Sequence, residues 1–394
     1  MGIAAEMLAA ALNPQLAAWS HSPLAVEIER HLVSALGTKF GYERSAVDGT
    51  FTTGGAEANT TALLCALTSR WPDAVHTGVR GLPADPVLYL SAEGHHSFLK
   101  AARATGLGER SVRRVPVDAT LAMDVQRLRE MIAAERRQGH APFMLVGTAG
   151  STGTAAIDPL PALADIARAE GLWFHVDAAW AGVRLVPARR HLLDGIERVD
   201  SITFDPHKWL SAPMGAGLFL TRRQEALTRA FALDTAYMPR EGREHGALDP
   251  YAHSMQWSRR FSGLKVFLSL AVAGWDGYAA VIEHQIAMGG LLRERLTQAG
   301  WRVLNRSDLP LVCFTRAGAA WSLDAHQAVA DRVIRSGRAW ISTVVTARGD
   351  AALRACVTNY RTSPADVETL IDALEAAVRD SANDRLLQAD RSPL

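Results

Sequence analysis

Cysteine is scarce in this chain: 394 residues hold three, Cys65, Cys313 and Cys356, far apart and odd in number. That spacing supports neither a disulfide framework nor a zinc ribbon and fits a reducing compartment, so a cytoplasmic location is expected. No sign of charge dominates. Against 41 Asp and Glu stand 42 Lys and Arg, for a net charge of +1, which leaves no electrostatic footprint for a nucleic acid or a membrane surface as partner. No apolar run is read as long enough to cross a membrane. The N-terminus lacks the basic stretch and sustained apolar run of a secretory signal, and position 6 is Glu6 where a myristoylation signal has Ser or Thr. Internal repeats and low-complexity segments are absent. So are a Walker loop, a Gly-x-Gly-x-x-Gly turn and a His-Glu-x-x-His helix, which sets aside the commonest nucleotide sites and a metal centre.

The residues present describe a globular protein with a sizeable core. Hydrophobic residues make up 48% of a chain long enough for one large domain and a smaller one. One lysine has unusual neighbours. Lys208 lies in SITFDPHKWLSAPMGAG, after the apolar run Ile202, Thr203 and Phe204, between His207 and Trp209, and before a turn of small residues that leads into another apolar run. The pattern predicts a strand, a tight loop carrying His207 and Lys208, and a second strand. A lysine is ordinarily a solvated cation; a desolvated one has a lowered pKa and becomes a nucleophile that forms a Schiff base with a carbonyl.

Earlier in the chain, residues 4–12 and 23–36 read as helices, and TFTTGGAEANTTALLCAL as a Gly-Gly turn feeding a third. The glycines permit close backbone approach, and the free N–H groups of a helix start make an anion site suited to a single phosphate. A strand at 88–90 ends in a loop carrying His95 and His96, with a helix over 98–105. His95 serves there as a structural hydrogen-bonding group or as an imidazole stacked on a planar cofactor. Residues 142–148 form the apolar strand expected of a parallel sheet covered on both faces, stopping at the hydroxyl- and Gly-rich TAGSTGT. Asp158 and Pro159 read as the N-cap and first residue of a helix that Gly171 ends. The next strand, 172–176, carries Asp177 at its carboxyl end, as a helix cap or as the partner of a protonated ring nitrogen. Polar residues gathered at the carboxyl ends of strands in a strand–helix–strand series are how open α/β sheets build ligand sites.

One ligand suits all of these features. The Gly-Gly helix start fits a phosphate, Asp177 a pyridinium nitrogen, His95 a ring face and Lys208 an aldehyde. Together they are the set required by pyridoxal 5'-phosphate.

TTGGAEAN, the GHHS loop, TAGSTGTAAID, HVDAAWAG and DPHKW resemble the group II pyridoxal-phosphate-dependent decarboxylases, which act on aromatic amino acids, histidine, glutamate and diaminobutyrate. The resemblance runs from about residue 4 to about residue 379. It implies the fold of the aspartate aminotransferases, with a large α/β domain built on a mostly parallel sheet and a small C-terminal α+β domain, and it implies a homodimer. By position it implies Lys208 as the Schiff-base lysine, Asp177 as the pyridinium partner, His95 as the stacking imidazole and Ala179 on the opposite ring face. Gly55, Ala56 and Asp205 would lie by the phosphate, Thr152 by the phenolic oxygen or the substrate carboxylate, and His207 beside the lysine. Arg361 is given no role in clamping a carboxylate, because a strong ion pair there would stabilise the ground state. Family members also carry an N-terminal segment that interlocks the dimer and lines part of the pocket, and Met1 stands where that segment would be ending.

The polar stretch 233–260 reads as a long loop of the kind that forms lids. In the family a lid tyrosine protonates the carbon left after carbon dioxide departs, which makes Tyr251 the candidate here; a packing tyrosine is the alternative. The expected organisation is an N-terminal helical segment (1–40), the large domain (41–284), the small domain (285–379) and a flexible polar tail (380–394). Decarboxylation of an L-amino acid is the expected activity, with an aromatic side chain favoured because DPHKW and RRFSGLK look most like that branch. The alternatives are other chemistry on the same cofactor, namely aldehyde-forming oxidative deamination, transamination or carbon–carbon cleavage, or a cofactor-binding protein without turnover.

Overall fold

The computed structural model describes residues 1–239, 241–244, 246–318 and 321–389, with the backbone alone at 243, 244 and 381–389. Its apolar runs become strands: β1 (Asp48–Thr52), β2 (Pro86–Ser91), β3 (Val112–Val115), β4 (Ala141–Thr148), β5 (Trp173–Asp177), β6 (Ser201–Phe204) and β7 (Gly217–Thr221). Among the described residues these form one sheet in the order β1-β7-β6-β5-β4-β2-β3. Pairing is parallel from β3 through β6, while β7 runs antiparallel to both β6 and β1. The mostly parallel sheet expected from the sequence is thus present. All of β5 is buried, and all of β4 beyond Ala141, as in a sheet covered on both faces.

Strand register assembles the carboxyl edge. Thr148 pairs with Asp177, and Asp177 with Thr203, so three polar residues of three different strands stand there in one row. Helix Gly55–Arg70 packs across β4, β5, β6 and β7 and brings its first turn to that edge.

The segment carrying Lys208 is one turn of helix, Pro206–Trp209, where a loop was expected. Pro206 stands at the first helical position, where its missing N–H costs nothing, and Asp205 ends the preceding extended stretch. The chain then returns as β7. A side chain at Gly217 would meet the Cα of Gly54 at 2.5 Å, so only glycine lets β7 start beneath the Gly-Gly turn.

Asp158 corrects a second expectation. It does not cap the helix Leu160–Glu170, whose N-cap position is Pro159. Its carboxylate is buried and accepts hydrogen bonds from Met123 N at 2.7 Å and Thr148 N at 2.8 Å. The buried N–H groups of Met123 and Thr148 take this carboxylate in place of the helix end. Burial pushes the pKa of Asp158 up to about 7.

The strands β8 (Trp301–Val303), β9 (Leu311–Arg316), β10 (Ser342–Val345) and β11 (Ala351–Cys356) form a second, antiparallel sheet in the order β10-β11-β9-β8. Helices Leu323–Arg335 and Pro364–Ala389 cover it, with Trp301, Phe314, Val333 and Leu374 in the core between. The last helix continues to Ala389, into the stretch read as a flexible tail; residues 390–394 of that stretch lie outside the described residues. The boundary expected at 284/285 falls inside helix Gly263–Gln298, which links the two sheets and bends at Gly274, where φ is +64°. By length and composition this helix is long and apolar enough to cross a membrane, contrary to the sequence reading. It packs against helices Gly2–Leu12, Pro23–Lys39 and Pro364–Ala389 and buries Tyr278, Ile282, Ile286, Leu292 and Leu296.

Candidate active site

The carboxyl edge of the sheet, the start of helix Gly55–Arg70 and the turn carrying Lys208 enclose a pocket lined by Gly55, Ala56, Asn59, His95, Thr148, Gly150, Thr152, Asp177, Ala179, Trp180, Asp205 and Lys208. Every residue that the sequence assigned to the cofactor lines it except His207. A larger cleft at the opposite ends of the strands, about 740 Å³ with Arg70, Arg198, Arg222, Arg223 and Arg229 in its walls, includes none of them.

Lys208 departs from the desolvated lysine of the sequence reading. Its side chain is 38% exposed, and its Nζ lies 3.0 Å from Asp205 Oδ2 as an ion pair. Asp205 is buried; burial pushes its pKa up, while Lys208 and then His207 pull it down. His207 Nε2 stands 3.7 Å from the same carboxylate oxygen and its Nδ1 2.8 Å from the Ala216 carbonyl. His207 therefore sits behind Asp205 and steadies the turn from outside the pocket wall.

Asp177 is buried at the end of β5. Its Oδ1 accepts from Ala179 N at 3.1 Å and its Oδ2 from Asn59 Nδ2 at 2.8 Å. Asn59 lies one helical turn after Gly55, so the two share a face of the helix. The sequence reading missed it, although that spacing was available. His95 stands at the pocket mouth, its Nδ1 accepting from Ser97 N at 3.2 Å. Surrounding protein draws its pKa down, chiefly through burial and also through Lys208, with Asp177 acting the other way. A neutral, flat imidazole is the form best suited to lie on a ring. Thr148, Gly150 and Trp180 are further wall residues that the sequence reading did not assign.

Tyr251 is not brought to this pocket. It is 3% exposed, clusters with Ala17, Ala18 and Met238, and packs on Trp257 with ring centroids 5.0 Å apart. The stretch 233–260 holds the short helices Glu241–Glu244 and Pro250–Ala252; its residues 240 and 245 lie outside the described residues. Gln256 ties it to the cradle, donating to Glu57 Oε1 at 2.8 Å. Glu57 also accepts from Thr53 N at 2.9 Å, which closes the first turn of its helix. Arg361 lies over the Tyr360 ring, away from the pocket wall.

Two observations test whether these residues fit pyridoxal phosphate. A Cβ at Gly55 would meet Asp205 Oδ2 at 2.9 Å and Ala179 Cβ at 3.4 Å, so the bare glycine keeps open the space beside the helix start where a phosphate is favoured. Two buried wall atoms, Thr148 Oγ1 and Asp205 Oδ1, have no hydrogen-bond partner, and such atoms are costly unless a polar ligand satisfies them. The polar groups present are an amine, two carboxylates, an imidazole and a helix N-terminus, and they fit. A cleft of about 660 Å³ shares His95 and Thr152 with this pocket and includes Glu93, His96 and Arg114.

Comparison with known proteins agrees with this chemistry. The profile described as pyridoxal-dependent decarboxylase conserved domain matches residues 1–317. Cysteine sulfinic acid decarboxylase of Mus musculus is 31% identical over 394 residues, covering 96% of this chain and 79% of the relative. L-2,4-diaminobutyrate decarboxylase of Rhizobium meliloti is 31% identical, covering 96% and 75%. The solved structure of Oryza sativa TDC with PLP and tryptamine superposes with a TM-score of 0.89 at 27% identity, covering 96% of this chain and 81% of that one.

Proposed function

The chain belongs to the pyridoxal-dependent decarboxylase family, and from that premise we propose that it removes the α-carboxylate of an L-amino acid as carbon dioxide, yielding the amine, with Lys208 as the residue that holds the cofactor. Bound pyridoxal phosphate would supply an aldehyde to take the amino group and a ring to accept the electron pair of the breaking bond. Gly55 and Ala56 would hold its phosphate and Lys208 its aldehyde. Thr152 would stand by the phenolic oxygen or the substrate carboxylate. His95 would cover one ring face and Ala179 the other.

Each wall residue has a task that follows from its chemistry. Asp205 keeps Lys208 at the pocket through their ion pair, and His207 supports Asp205. Asp177, an acceptor on a buried strand end, would hold a proton on the ring nitrogen and so keep the ring able to take electrons. The observation that carries decarboxylation over transamination is the charge of the wall. Among the described lining residues there is one cationic side chain, Lys208, and no arginine. A substrate carboxylate there meets no bidentate ion pair to stabilise it before it leaves.

An aromatic side chain is supported by Trp180 in the wall and by the likeness to the Oryza sativa structure solved with tryptamine. A second reading, an acidic side chain, is favoured by Arg114 in the adjoining cleft, where its Nη2 contacts the Ala92 carbonyl and His96, and by the cysteine sulfinic acid relative. We further propose a cytoplasmic homodimer. Ile3, Met7, Leu12 and Val272 lie exposed on helices Gly2–Leu12 and Gly263–Gln298, which pack together, and a second copy would cover them. Product analysis over a panel of L-amino acids tests the activity, and the solution mass tests the dimer.

A further inference from the structure

Behind Asp177 lies a buried polar chain that the mechanism above does not use. Asn59, His175, Ser201 and Thr203 are each at most 1% exposed. Asn59 Nδ2 lies 2.8 Å from Asp177 Oδ2 and 2.8 Å from Ser97 Oγ. Asn59 Oδ1 lies 2.7 Å from Thr203 Oγ1 and 3.2 Å from His175 Nε2. His175 Nδ1 lies 2.8 Å from Ser201 Oγ, which lies 2.9 Å from Trp173 Nε1.

Giving Asn59 Oδ1 two donors fixes the protons of this chain, in which Thr203 Oγ1 also lies 3.3 Å from His175 Nε2. A carboxylate only accepts, so the amide of Asn59 must face Asp177 with its NH₂. Its oxygen then accepts, which makes Thr203 and His175 Nε2 donors. His175 Nδ1 is left to accept from the Ser201 hydroxyl, and Ser201 accepts from the Trp173 indole, which only donates. Hydrogen bonds thus point from Trp173 toward Asp177. Burial draws the pKa of His175 down to about 4, so the imidazole is neutral and offers Asp177 no competing cation.

We propose that Asn59 and His175 are positioning residues that aim the Asp177 carboxylate and keep the proton on the cofactor's ring nitrogen. The inference rests on the reading of Asp177 as the partner of that nitrogen. An N–H donated to a carboxylate favours its charged form. Removing the Asn59 donor makes Asp177 the stronger base and draws the shared proton off the ring. His175 acts at one remove, by fixing which end of Asn59 faces Asp177.

The test uses holoenzyme reconstituted with pyridoxal phosphate carrying ¹⁵N in the ring, read by NMR across pH, together with steady-state kinetics and melting temperature. Asn59→Ala is expected to lower the pH at which the ring nitrogen loses its proton and to lower kcat roughly 10- to 100-fold, with a smaller change in KM. His175→Leu is expected to act in the same direction, whereas His175→Gln, which retains an amide donor, restores both readouts. Should Asn59→Ala not fold, Thr203→Val removes one donor to the same amide oxygen at similar volume and is expected to act likewise. A ring-nitrogen signal and kcat unchanged in these variants, with only melting temperature lowered, would overturn the proposal. Failure of the underlying reading is distinct: there Asp177→Ala itself leaves the ring nitrogen protonated as in the unsubstituted protein.

Discussion

Lys208 and Asp205 form an ion pair across a single turn of helix, Nζ to Oδ2 at 3.0 Å, with the lysine partly exposed and the aspartate buried. The pairing ties function to stability. Lys208→Ala leaves the Asp205 carboxylate buried without its cation, and loss of a charged partner costs more than the pair itself contributed. Because Lys208 is screened by solvent, a loss of about 1 kcal/mol is expected in urea unfolding of the apoprotein. Asp205→Asn added to Lys208→Ala is expected to recover it. An additive second loss would mean that the pair is not the cause.

Asp177→Ala is expected to separate binding from turnover. The helix start at Gly55 and Ala56, proposed to hold the phosphate, and the amine of Lys208 remain, so cofactor retention is expected to change little. Loss of the charge beside the ring nitrogen is expected to lower kcat on the order of 100-fold or more. Cofactor titration against single-turnover rates checks this, and equal rates in variant and parent would remove Asp177 from the mechanism.

Much of this site is legible in the sequence because its chemistry sits at strand ends. Asp177 closes an apolar run that becomes β5, and Lys208 follows the run that becomes β6; each reads from its neighbours alone. Thr148 and Trp180 do not, since the fold brings them to the pocket from elements that look like ordinary strand and loop, while Asn59 is signalled only by its spacing from Gly55. Asp158 misled for a related reason. The Asp-Pro pair is a sound local helix start, but its strongest donors, Met123 N and Thr148 N, are distant in sequence. For Tyr251 the sequence left a lid residue and a packing residue open, because spacing within a polar stretch does not reveal a stacking partner such as Trp257.

Asp158 gives stability a pH dependence. Its pKa is raised from 3.8 to about 7 in the folded chain. The stabilisation tied to its proton is therefore fully present below the unfolded value and is lost as pH rises through about 7. Melting temperature measured from pH 5 to pH 8 is expected to vary less in Asp158→Asn, which holds no titrating proton there. An identical pH profile in the two proteins would contradict the raised value.

Arg259 and Glu29 form an ion pair with side chains 8% and 4% exposed, and Glu29 also accepts from Gly263 N at 2.9 Å. It joins helix Pro23–Lys39 to the start of helix Gly263–Gln298. Arg259→Met leaves a buried carboxylate unpaired and is expected to cost about 3–5 kcal/mol in denaturant unfolding. A change under about 1 kcal/mol would show that water reaches Glu29.

Tyr251→Phe is expected to leave the ratio of amine to aldehyde unchanged, because the ring packs on Trp257 outside the pocket. Mass spectrometry of the products decides it. A shift toward aldehyde would return Tyr251 to the role of a lid tyrosine that donates a proton.

The most direct measurement is a mass-spectrometric screen of the holoenzyme and its Lys208→Ala variant against proteinogenic L-amino acids with cysteine sulfinate, diaminobutyrate and ornithine. The expected result is an amine from one substrate class, lowered roughly a thousandfold or more in Lys208→Ala. A keto acid or aldehyde as the main product, or amine formed equally well without Lys208, would contradict decarboxylation at this lysine.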